Sequence, residues 1–309
     1  MKNYLITGGA GFIGSSIAQK ILDRNEKCFV IDNLSTGIEG NIPKDCEFIE
    51  MDCTNENEYS KLKNLQIDAV LHLAAQSSGE ASFKDPLLDL ESHIKSTFLA
   101  LEFCKSKQIN RLIYASSMAV YGQPKESIVN EDHILTPKSY YGAAKAAAEE
   151  LVKLHNRMGM NNKILRMFSI YGPGQNLSNM LQGMVSIYLS FVLKNLPITV
   201  KGGSDRFRDF LFIDDVVDAW VKVINNQDLN YEIYNLGSGI KTTVGELLEI
   251  IKKCIDIPNY EINFESGTPG DQFGIFADIE KLSNDTNWKP KWTIEEGVKK
   301  MLDYYKKKN

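Results

Sequence analysis

The sequence contains the stretch Tyr4-Leu5-Ile6-Thr7-Gly8-Gly9-Ala10-Gly11-Phe12-Ile13-Gly14, in which an apolar run leads directly into glycines at positions 8, 11 and 14. The run has the composition of a buried strand, and a helical pattern follows it as far as Arg24. Glycine at 8 permits a tight turn, glycine at 11 lets the backbone approach a phosphate, and glycine at 14 lets the helix pack on the strand. We therefore expect a strand, a turn and a helix whose first N–H groups face an anion.

Strand and helix patterns alternate beyond this stretch. Apolar runs rich in β-branched and aromatic residues occur at residues 27–32, 48–51, 69–74 and 111–116, and a long helical pattern extends from about Pro86 to Lys107. The alternation predicts an α/β fold built on a doubly wound parallel (Rossmann) sheet. A binding crevice is expected at the carboxyl ends of its strands.

The regular alternation of strand and helix patterns ends after Tyr171-Gly172-Pro173-Gly174. We predict that residues 1–170, completed by about residues 205–240, form the Rossmann domain. Residues 171–204 and 241–309 are predicted to form a smaller, discontinuous α/β domain that binds the substrate. Two helix starts in the later region have the sequence of a capping box, Thr243 with Glu246 and Thr293 with Glu296.

The composition excludes several classes of protein. The chain has 309 residues, a net charge of -5 and 43% hydrophobic residues, so it has no basic footprint for nucleic acid. No apolar run is long enough to span a membrane, and no signal peptide is recognisable. Five scattered cysteines and four histidines lack disulfide and metal-ligand spacing. We expect a cytoplasmic protein without a metal, membrane or nucleic-acid partner.

Asp32 stands 18 residues after Gly14, at the end of the second strand pattern. A carboxylate there can bind the adenosine ribose and repel a 2′-phosphate, which favours NAD over NADP. The less favoured alternative is that Asp32 is a turn residue. Asp52 either meets the adenine edge or is an ordinary strand-end aspartate, and Leu73-Ala74-Ala75 either leaves room for a ligand or packs closely. The residues expected to bind NAD are Gly8, Gly11, Phe12, Ile13, Gly14, Asp32, Asn33, Asp52, Cys53, Leu73, Ala74 and Ala75.

Tyr141 precedes Lys145 by four residues, so both side chains lie on one face of a helix, one turn apart. A phenol has a pKa of about 10 and is a poor base unless Lys145 and the positive nicotinamide ring favour its anion. Tyr141 would then take a proton from a sugar hydroxyl while hydride leaves the same carbon, and Ser117 would hydrogen-bond that oxygen. The alternative is a surface aromatic residue beside a solvated lysine.

These motifs together resemble the extended short-chain dehydrogenase/reductase family and, within it, the NAD-dependent sugar-nucleotide epimerases. The resemblance extends over most of the chain, through the glycine loop, residues 116–122, 141–145 and 166–174, and Arg208-Asp209-Phe210. It implies that Ser117, Tyr141 and Lys145 are the catalytic triad. It also implies that Tyr141 and Lys145 contact the cofactor, Lys145 through the nicotinamide ribose.

Met118 and Ala119 follow Ser117 at positions that separate the reactions of the family. Members that remove water have an Asp-Glu pair there, decarboxylating members have glutamate at the second position, and reductases that also epimerise carbons 3 and 5 have cysteine at the first. Neither Met118 nor Ala119 can move a proton. The resemblance therefore implies a 4-epimerase that oxidises carbon 4 transiently and returns hydride to the other face.

Three departures from the family pattern concern the substrate. Ser169 replaces an asparagine, His93 stands where many relatives have an asparagine, and residues 269–271 follow Thr268 instead of an arginine. Arg208 is left as the best anion clamp. His93 has either a special role or that of an ordinary surface or core histidine. The residues expected to bind a nucleotide-diphosphate sugar are Gln76, Ser117, Met118, Ser169, Asn179 and Arg208.

Two other functions remain open at this point. A sugar-nucleotide 4-dehydrogenase or 4-ketoreductase would use the same triad and stop after one hydride step. A non-catalytic NAD-sensing regulator would use the same fold but would not need Tyr141 and Lys145. Helical patterns at residues 86–107 and 140–158 have apolar stripes, which predict either a homodimer, as in many members of the family, or ordinary packing against the core.

Overall fold

The computed structural model describes residues 2–79, 81–181, 183–267 and 272–308. In chain order its strands are β1 (Asn3–Thr7), β2 (Lys27–Asp32), β3 (Glu47–Glu50), β4 (Ala69–His72), β5 (Leu112–Ser117), β6 (Ile128–Val129), β7 (Lys163–Met167), β8 (Ser169–Tyr171), β9 (Ile198–Lys201), β10 (Phe207–Arg208), β11 (Phe210–Phe212), β12 (Ile233–Leu236), β13 (Thr242–Thr243), β14 (Ile262–Glu265) and β15 (Phe276–Ala277). Its helices are α1 (Phe12–Leu22), α2 (Pro86–Asp89), α3 (Ser96–Ser106), α4 (Tyr140–Arg157), α5 (Met184–Leu193), α6 (Ile213–Asn225), α7 (Val244–Ile255), α8 (Glu280–Thr286) and α9 (Ile294–Lys308).

Seven of the described strands form one sheet in the order β12-β7-β5-β4-β1-β2-β3, with parallel pairing throughout. Side chains alternate between its two faces, as the pleat requires. Tyr4 and Ile6 pack into one core with apolar residues of α1 and α6, whereas Leu5 packs into the other with residues of α3 and α4. Helices on both faces confirm the predicted doubly wound α/β fold.

The strand order reverses beside β1. The chain proceeds from β1 to β2 and β3 on one side, and then returns to place β4 on the other side of β1. In a parallel sheet such a reversal opens a crevice at the carboxyl ends of the strands. Thr7 and His72 end the two strands that flank this point, and Asp32 ends the next strand.

The later strands, β8 to β15, lie outside the main sheet except β12, and so does β6. They form four two-stranded pairings, β8 with β11, β9 with β14, β6 with β15 and β10 with β13.

Both predicted capping boxes form: Glu246 N donates to Thr243 Oγ1 at 3.1 Å, and Glu296 N donates to Thr293 Oγ1 at 3.3 Å. Within the described ranges, no helix combines the length and apolar character needed to cross a bilayer.

The helix predicted from Pro86 to Lys107 is interrupted. It consists of α2, a π-helical turn at Leu90–Lys95 and α3. A π-helical turn inserts one residue into the helical register, and such turns frequently lie at functional sites. His93 lies within this turn, and its side chain is fully buried.

Candidate active site

The glycine loop connects β1 to α1 with very little space around it. Gly8 has a φ of +69°, and a Cβ on it would lie 2.8 Å from the backbone nitrogen of Ala74. A Cβ on Gly14 would lie 2.3 Å from the carbonyl oxygen of Gly8, so the helix packs against the loop itself. The start of α1, which is fully described, has neither a side-chain cap nor an acidic residue in its first turn. Its first N–H groups are therefore available to an anion.

Asp32 connects the loop to the turn after β2. Its Oδ2 accepts a hydrogen bond from Ala10 N at 3.0 Å, and its Oδ1 accepts one from Leu34 N at 2.8 Å. The turn interpretation thus describes its contacts within the protein. Each carboxylate oxygen has a second lone pair, so a ribose hydroxyl can still bind. Binding of ribose by Asp32 stays a prediction.

Asn33 and Asp52 lie together beyond Asp32. Asn33 Nδ2 donates to Asp52 Oδ2 at 3.3 Å, and a cavity of about 350 Å³ opens beside them. Burial tends to raise the pKa of Asp52, but hydrogen bonds from Thr54 and Asn33 outweigh it and lower this pKa. The Cys53 side chain is buried in the apolar core and has a raised pKa for that reason, so Cys53 offers a ligand only its backbone.

Thr7 is a residue of this site that the sequence did not indicate. Its hydroxyl oxygen accepts hydrogen bonds from the backbone N–H groups of Leu73 and Ala74, each at 3.0 Å, and lies 2.8 Å from His72 Nδ1. These contacts hold the loop after β4 against the glycine loop. The close packing considered for residues 73–75 is therefore present, and it forms one wall of the crevice.

The predicted catalytic residues lie together where β5 and α4 meet. Ser117 ends β5, and Tyr141 lies in the first turn of α4, which Ser139 caps by accepting from Gly142 N at 3.1 Å. The Ser117 hydroxyl lies near enough to the Tyr141 phenol to lower its pKa. Lys145 is buried one turn further along and donates from Nζ to the Ala115 carbonyl at 2.5 Å.

The protein groups alone do not favour the Tyr141 anion. Burial raises the pKa of Tyr141; the nearby Ser117 hydroxyl opposes this rise, and the charge of Asp89 adds to it. Burial lowers the pKa of Lys145 to about 7, against the opposing charges of Glu149 and Asp89. Lys145 is not among the groups that shift the pKa of Tyr141 in the protein without a cofactor. The combined effect of Lys145 and the nicotinamide ring on the phenol stays a prediction.

A buried ion pair joins β7 to α4 next to the predicted catalytic residues. Arg166 on β7 contacts Glu149 on α4 in a bidentate geometry, with N–O distances of 2.7 and 2.9 Å. Glu149 also accepts from the Ser116 hydroxyl at 2.5 Å. Because Ser116 precedes Ser117 and Glu149 lies one turn after Lys145, the pair fixes β5 relative to α4.

Gln76, Asn179 and Met118 lie on segments beside this group. Gln76 Nε2 donates to Asp89 Oδ1 at 3.0 Å, and Asn179 Oδ1 accepts from Leu181 N at 3.0 Å. The Leu181 carbonyl in turn accepts from a serine in the Gln76 segment, so the two segments are connected. Met118 begins the 3-10 turn directly after β5.

Arg208 and Ser169 belong to the later strands. Ser169 begins β8, whose partner β11 starts two residues after Arg208. Arg208 Nη1 donates to the carbonyls of Phe207 at 2.7 Å and Phe273 at 3.2 Å. Burial lowers the pKa of Arg208 to about 10, and the nearby charge of Arg206 adds to this.

Arg206 lies near enough to Arg208 for its charge to act on Arg208, and it was not predicted as a site residue. Its spacing of two residues from Arg208 in an extended segment, which places both side chains on one face, could have indicated it. The segment 268–271 with its missing arginine lies outside the described residues. Elsewhere, across the ranges that the structure describes, no group of three or more His, Cys, Asp and Glu side chains is arranged to hold a metal ion.

The model of the NAD dependent epimerase/dehydratase family matches residues 4–237, a range that includes the glycine loop, Ser117, Tyr141, Lys145 and Arg208. The chain belongs to this family. Its family, its fold class and its use of NAD are thereby confirmed, and it is an NAD-dependent enzyme of the epimerase/dehydratase type. The family model does not assign roles to individual residues, so the site residues remain predictions.

Similar proteins match over nearly the whole chain. The UDP-glucose 4-epimerase of Thermotoga maritima, solved with UDP-glucose, is 30% identical with a TM-score of 0.94, covering 99% of each chain. The UDP-glucose 4-epimerase of Thermus thermophilus, in complex with NAD, is 31% identical with a TM-score of 0.91, covering 98% of this chain and 99% of the other. UDP-glucuronate 4-epimerase of Thermodesulfobacterium geofontis is 28% identical, covering 99% of this chain and 97% of the relative.

Proposed function

We propose that this enzyme is a sugar-nucleotide 4-epimerase that oxidises carbon 4 of a nucleotide-diphosphate sugar and returns hydride to the opposite face. One observation carries the proposal: Tyr141 and Lys145 lie one turn apart beside Ser117, and the two residues after Ser117 are Met118 and Ala119. Neither of these can supply the additional acid or base that an elimination requires. The 4-epimerase names of the similar proteins support the reaction and the substrate class.

The residues around the crevice fit NAD. Because Gly8 and Gly14 have no Cβ, the loop can pack tightly against the backbone of Ala74 and against the start of α1. The first turn of α1 leaves its N–H groups to the diphosphate. Asp32, at the end of β2, would bind the adenosine ribose. When bound, NAD supplies the hydride acceptor and donor at carbon 4.

The chain's own residues handle the proton. We expect the Tyr141 oxygen to take the proton of the 4-hydroxyl and to return it to the 4-keto oxygen. Ser117 hydrogen-bonds the same substrate oxygen. Lys145 orients the nicotinamide ribose, and its position is fixed by the Ala115 carbonyl and the nearby Glu149.

The substrate is proposed to lie between the catalytic residues and the later strands. Residues 171–204 and 241–309 would form the substrate-binding domain, and Arg208 would bind the diphosphate. Gln76, Met118, Ser169 and Asn179 would contact the rest of the nucleotide sugar. The five cysteines are free, which supports activity in the reducing cytoplasm.

We further propose a homodimer through the helices after β4 and through α4. Leu87 is 70% exposed, and Leu88, Leu90, Phe98 and Leu154 are each 44–46% exposed on these helices. An apolar cavity of about 450 Å³ lies among them, lined by Leu90, Phe98 and Leu151. Part of the apolar stripe is therefore exposed to solvent and does not pack against the core, and the same surface of a second copy would cover it.

Product analysis tests the function directly. Cofactor is released from the purified protein and identified, and the reconstituted enzyme is incubated separately with UDP-, GDP-, CDP- and dTDP-sugars. A 4-epimerase gives the C4-inverted sugar by NMR, with no lasting NADH absorbance. Accumulation of a keto sugar with stoichiometric NADH would instead identify a 4-dehydrogenase, and no turnover with any sugar nucleotide would contradict an enzyme of this class.

A further inference from the structure

Asp89 and His93 form a buried pair next to the catalytic tyrosine. Both side chains are fully buried, and His93 Nε2 lies 3.3 Å from Asp89 Oδ1. The His93 ring meets the Tyr141 ring nearly at right angles, with centroids 5.2 Å apart and an interplanar angle of 75°. The π-helical turn contains His93 and begins directly after Asp89, so an irregular backbone places this pair.

Several polar atoms of the pair have no hydrogen-bond partner within the described ranges. These atoms are Asp89 Oδ2 and both imidazole nitrogens, so the 3.3 Å approach of the pair lacks hydrogen-bond geometry. A buried polar group without a partner destabilises the folded state, because it loses its hydrogen bonds to water. An arrangement that keeps three such atoms beside a catalytic residue is poorly explained by stability alone.

Titratable and polar groups from three elements face the pair. Lys145 and Tyr141 face it from α4, His72 faces His93 from β4, and Gln76 donates to Asp89 from the loop after β4. Burial lowers the pKa of His93 to about 4, and Lys145 lowers it further while Asp89 opposes this. His93 is therefore neutral near pH 7, and Asp89 is the carboxylate whose charge acts on both Tyr141 and Lys145.

We propose that Asp89 and His93 are a positioning pair, in which the imidazole braces the Tyr141 ring and the carboxylate supplies a fixed negative charge to the Tyr141–Lys145 couple. The proposal rests on the 4-epimerase function. The carboxylate keeps the phenol protonated until the oxidised, positively charged nicotinamide ring lies beside it. Tyr141 would thus be a base towards the alcohol and an acid towards the ketone, which are the states that the two half-reactions need.

Asp89→Asn tests the charge while retaining an oxygen to accept from Gln76. Removing a nearby negative charge favours the phenolate and so lowers the pKa of Tyr141. We therefore expect the acid limb of the plot of kcat/KM against pH to shift to lower pH by about one unit. Glu91→Gln is the matched control, because Glu91 is an exposed carboxylate on the same turn. A limb that stays at its wild-type pH in folded, NAD-containing Asp89→Asn protein would overturn the proposal.

His93→Gln tests the brace, and it is informative even if Asp89→Asn does not fold. We expect kcat to fall about tenfold with KM nearly unchanged, because the ring holds the base and not the substrate. A rise in KM with kcat unchanged would contradict a positioning role.

Spectroscopic titration separates this proposal from the proposed function. The ultraviolet absorbance of tyrosinate, taken as the difference between each protein and its Tyr141→Phe counterpart, reports Tyr141 ionisation without turnover. Asp89→Asn should lower that transition in both the NAD-bound and the cofactor-free protein. If the wild-type protein lacks epimerase activity, the proposed function fails, but a lowered tyrosinate transition in Asp89→Asn still supports the positioning pair. If the transition does not shift, the positioning pair is rejected whatever the activity.

Discussion

Lys145 donates its ammonium hydrogen bond to the backbone carbonyl of Ala115, at 2.5 Å. The lysine is thereby tied to β5, the strand that ends in Ser117. Burial raises the pKa of Tyr141 above that of a free phenol. We therefore expect formation of the Tyr141 anion at neutral pH to depend on the positive nicotinamide ring, so that proton abstraction would be coupled to the oxidation state of the cofactor.

Tyr141→Phe removes the proposed proton acceptor and keeps the ring. We expect turnover to fall by about a hundredfold or more, the order of a proton-transfer contribution, with the NAD content unchanged. Tyr140→Phe is the matched control, since Tyr140 is the neighbouring phenol and is 51% exposed. Epimerisation followed by NMR measures both; near-normal turnover of Tyr141→Phe would reject the assignment.

Gly14→Ala tests the cofactor cradle. The new Cβ would lie 2.3 Å from the Gly8 carbonyl, so the loop has to move and NAD binding should weaken by tenfold or more, on the order of 1.4 kcal/mol. Gly40→Ala is a suitable control because no atom lies within 4 Å of its Cβ position. Calorimetric titration with NAD measures the difference, and equal affinities of the two variants would refute the proposed role.

The buried His72 predicts a loss of stability in acid. Burial lowers the pKa of His72 from 6.5 to about 3. Between these two pH values His72 is protonated in the unfolded chain and neutral in the folded chain. Its contribution is present above pH 6.5 and is lost as the pH falls; between pH 7 and pH 5 the loss is about 2 kcal/mol. In His72→Asn, urea unfolding at both pH values should show a smaller loss by about this amount. An unchanged loss would contradict the assignment.

The proposed dimer surface is tested by the double change Leu87→Glu and Phe98→Glu. Two buried charges would destabilise an interface between copies, so the mass measured by light scattering should fall from a dimer to a monomer. Ile134→Glu is the control, because Ile134 is 83% exposed away from these helices. A wild-type monomer, or a variant that remains a dimer, would rule out this surface.

The sequence predicted the features that depend on neighbouring residues. The glycine loop, the alternation of strands and helices and both capping boxes are encoded within a few residues each, and the structure contains them all. The structure also places Ser117 beside Tyr141, with Lys145 one turn further along α4, while their catalytic roles stay predictions. The resemblance to a known family placed Ser117, which is distant in sequence from the helix that carries the other two.

Other features depend on residues far apart in the chain. The hydroxyl of Thr7 meets backbone groups more than 60 residues away, and no local pattern distinguishes it from any other strand residue. The π-helical turn lies inside an unbroken helical pattern, and α6 starts directly after β11 without a loop. The direction of the Tyr141 pKa shift also depends on burial, which spacing along a helix does not reveal.

Thr7 gives the crevice a wall that is preorganised. Because its hydroxyl already holds Leu73 and Ala74, that wall needs little rearrangement when a dinucleotide enters, and less contact free energy is lost to ordering the loop. We expect such a wall to favour tight retention of NAD between turnovers. An enzyme that gives back the hydride it has just received gains from this, since the reduced cofactor stays in place until the sugar has turned over.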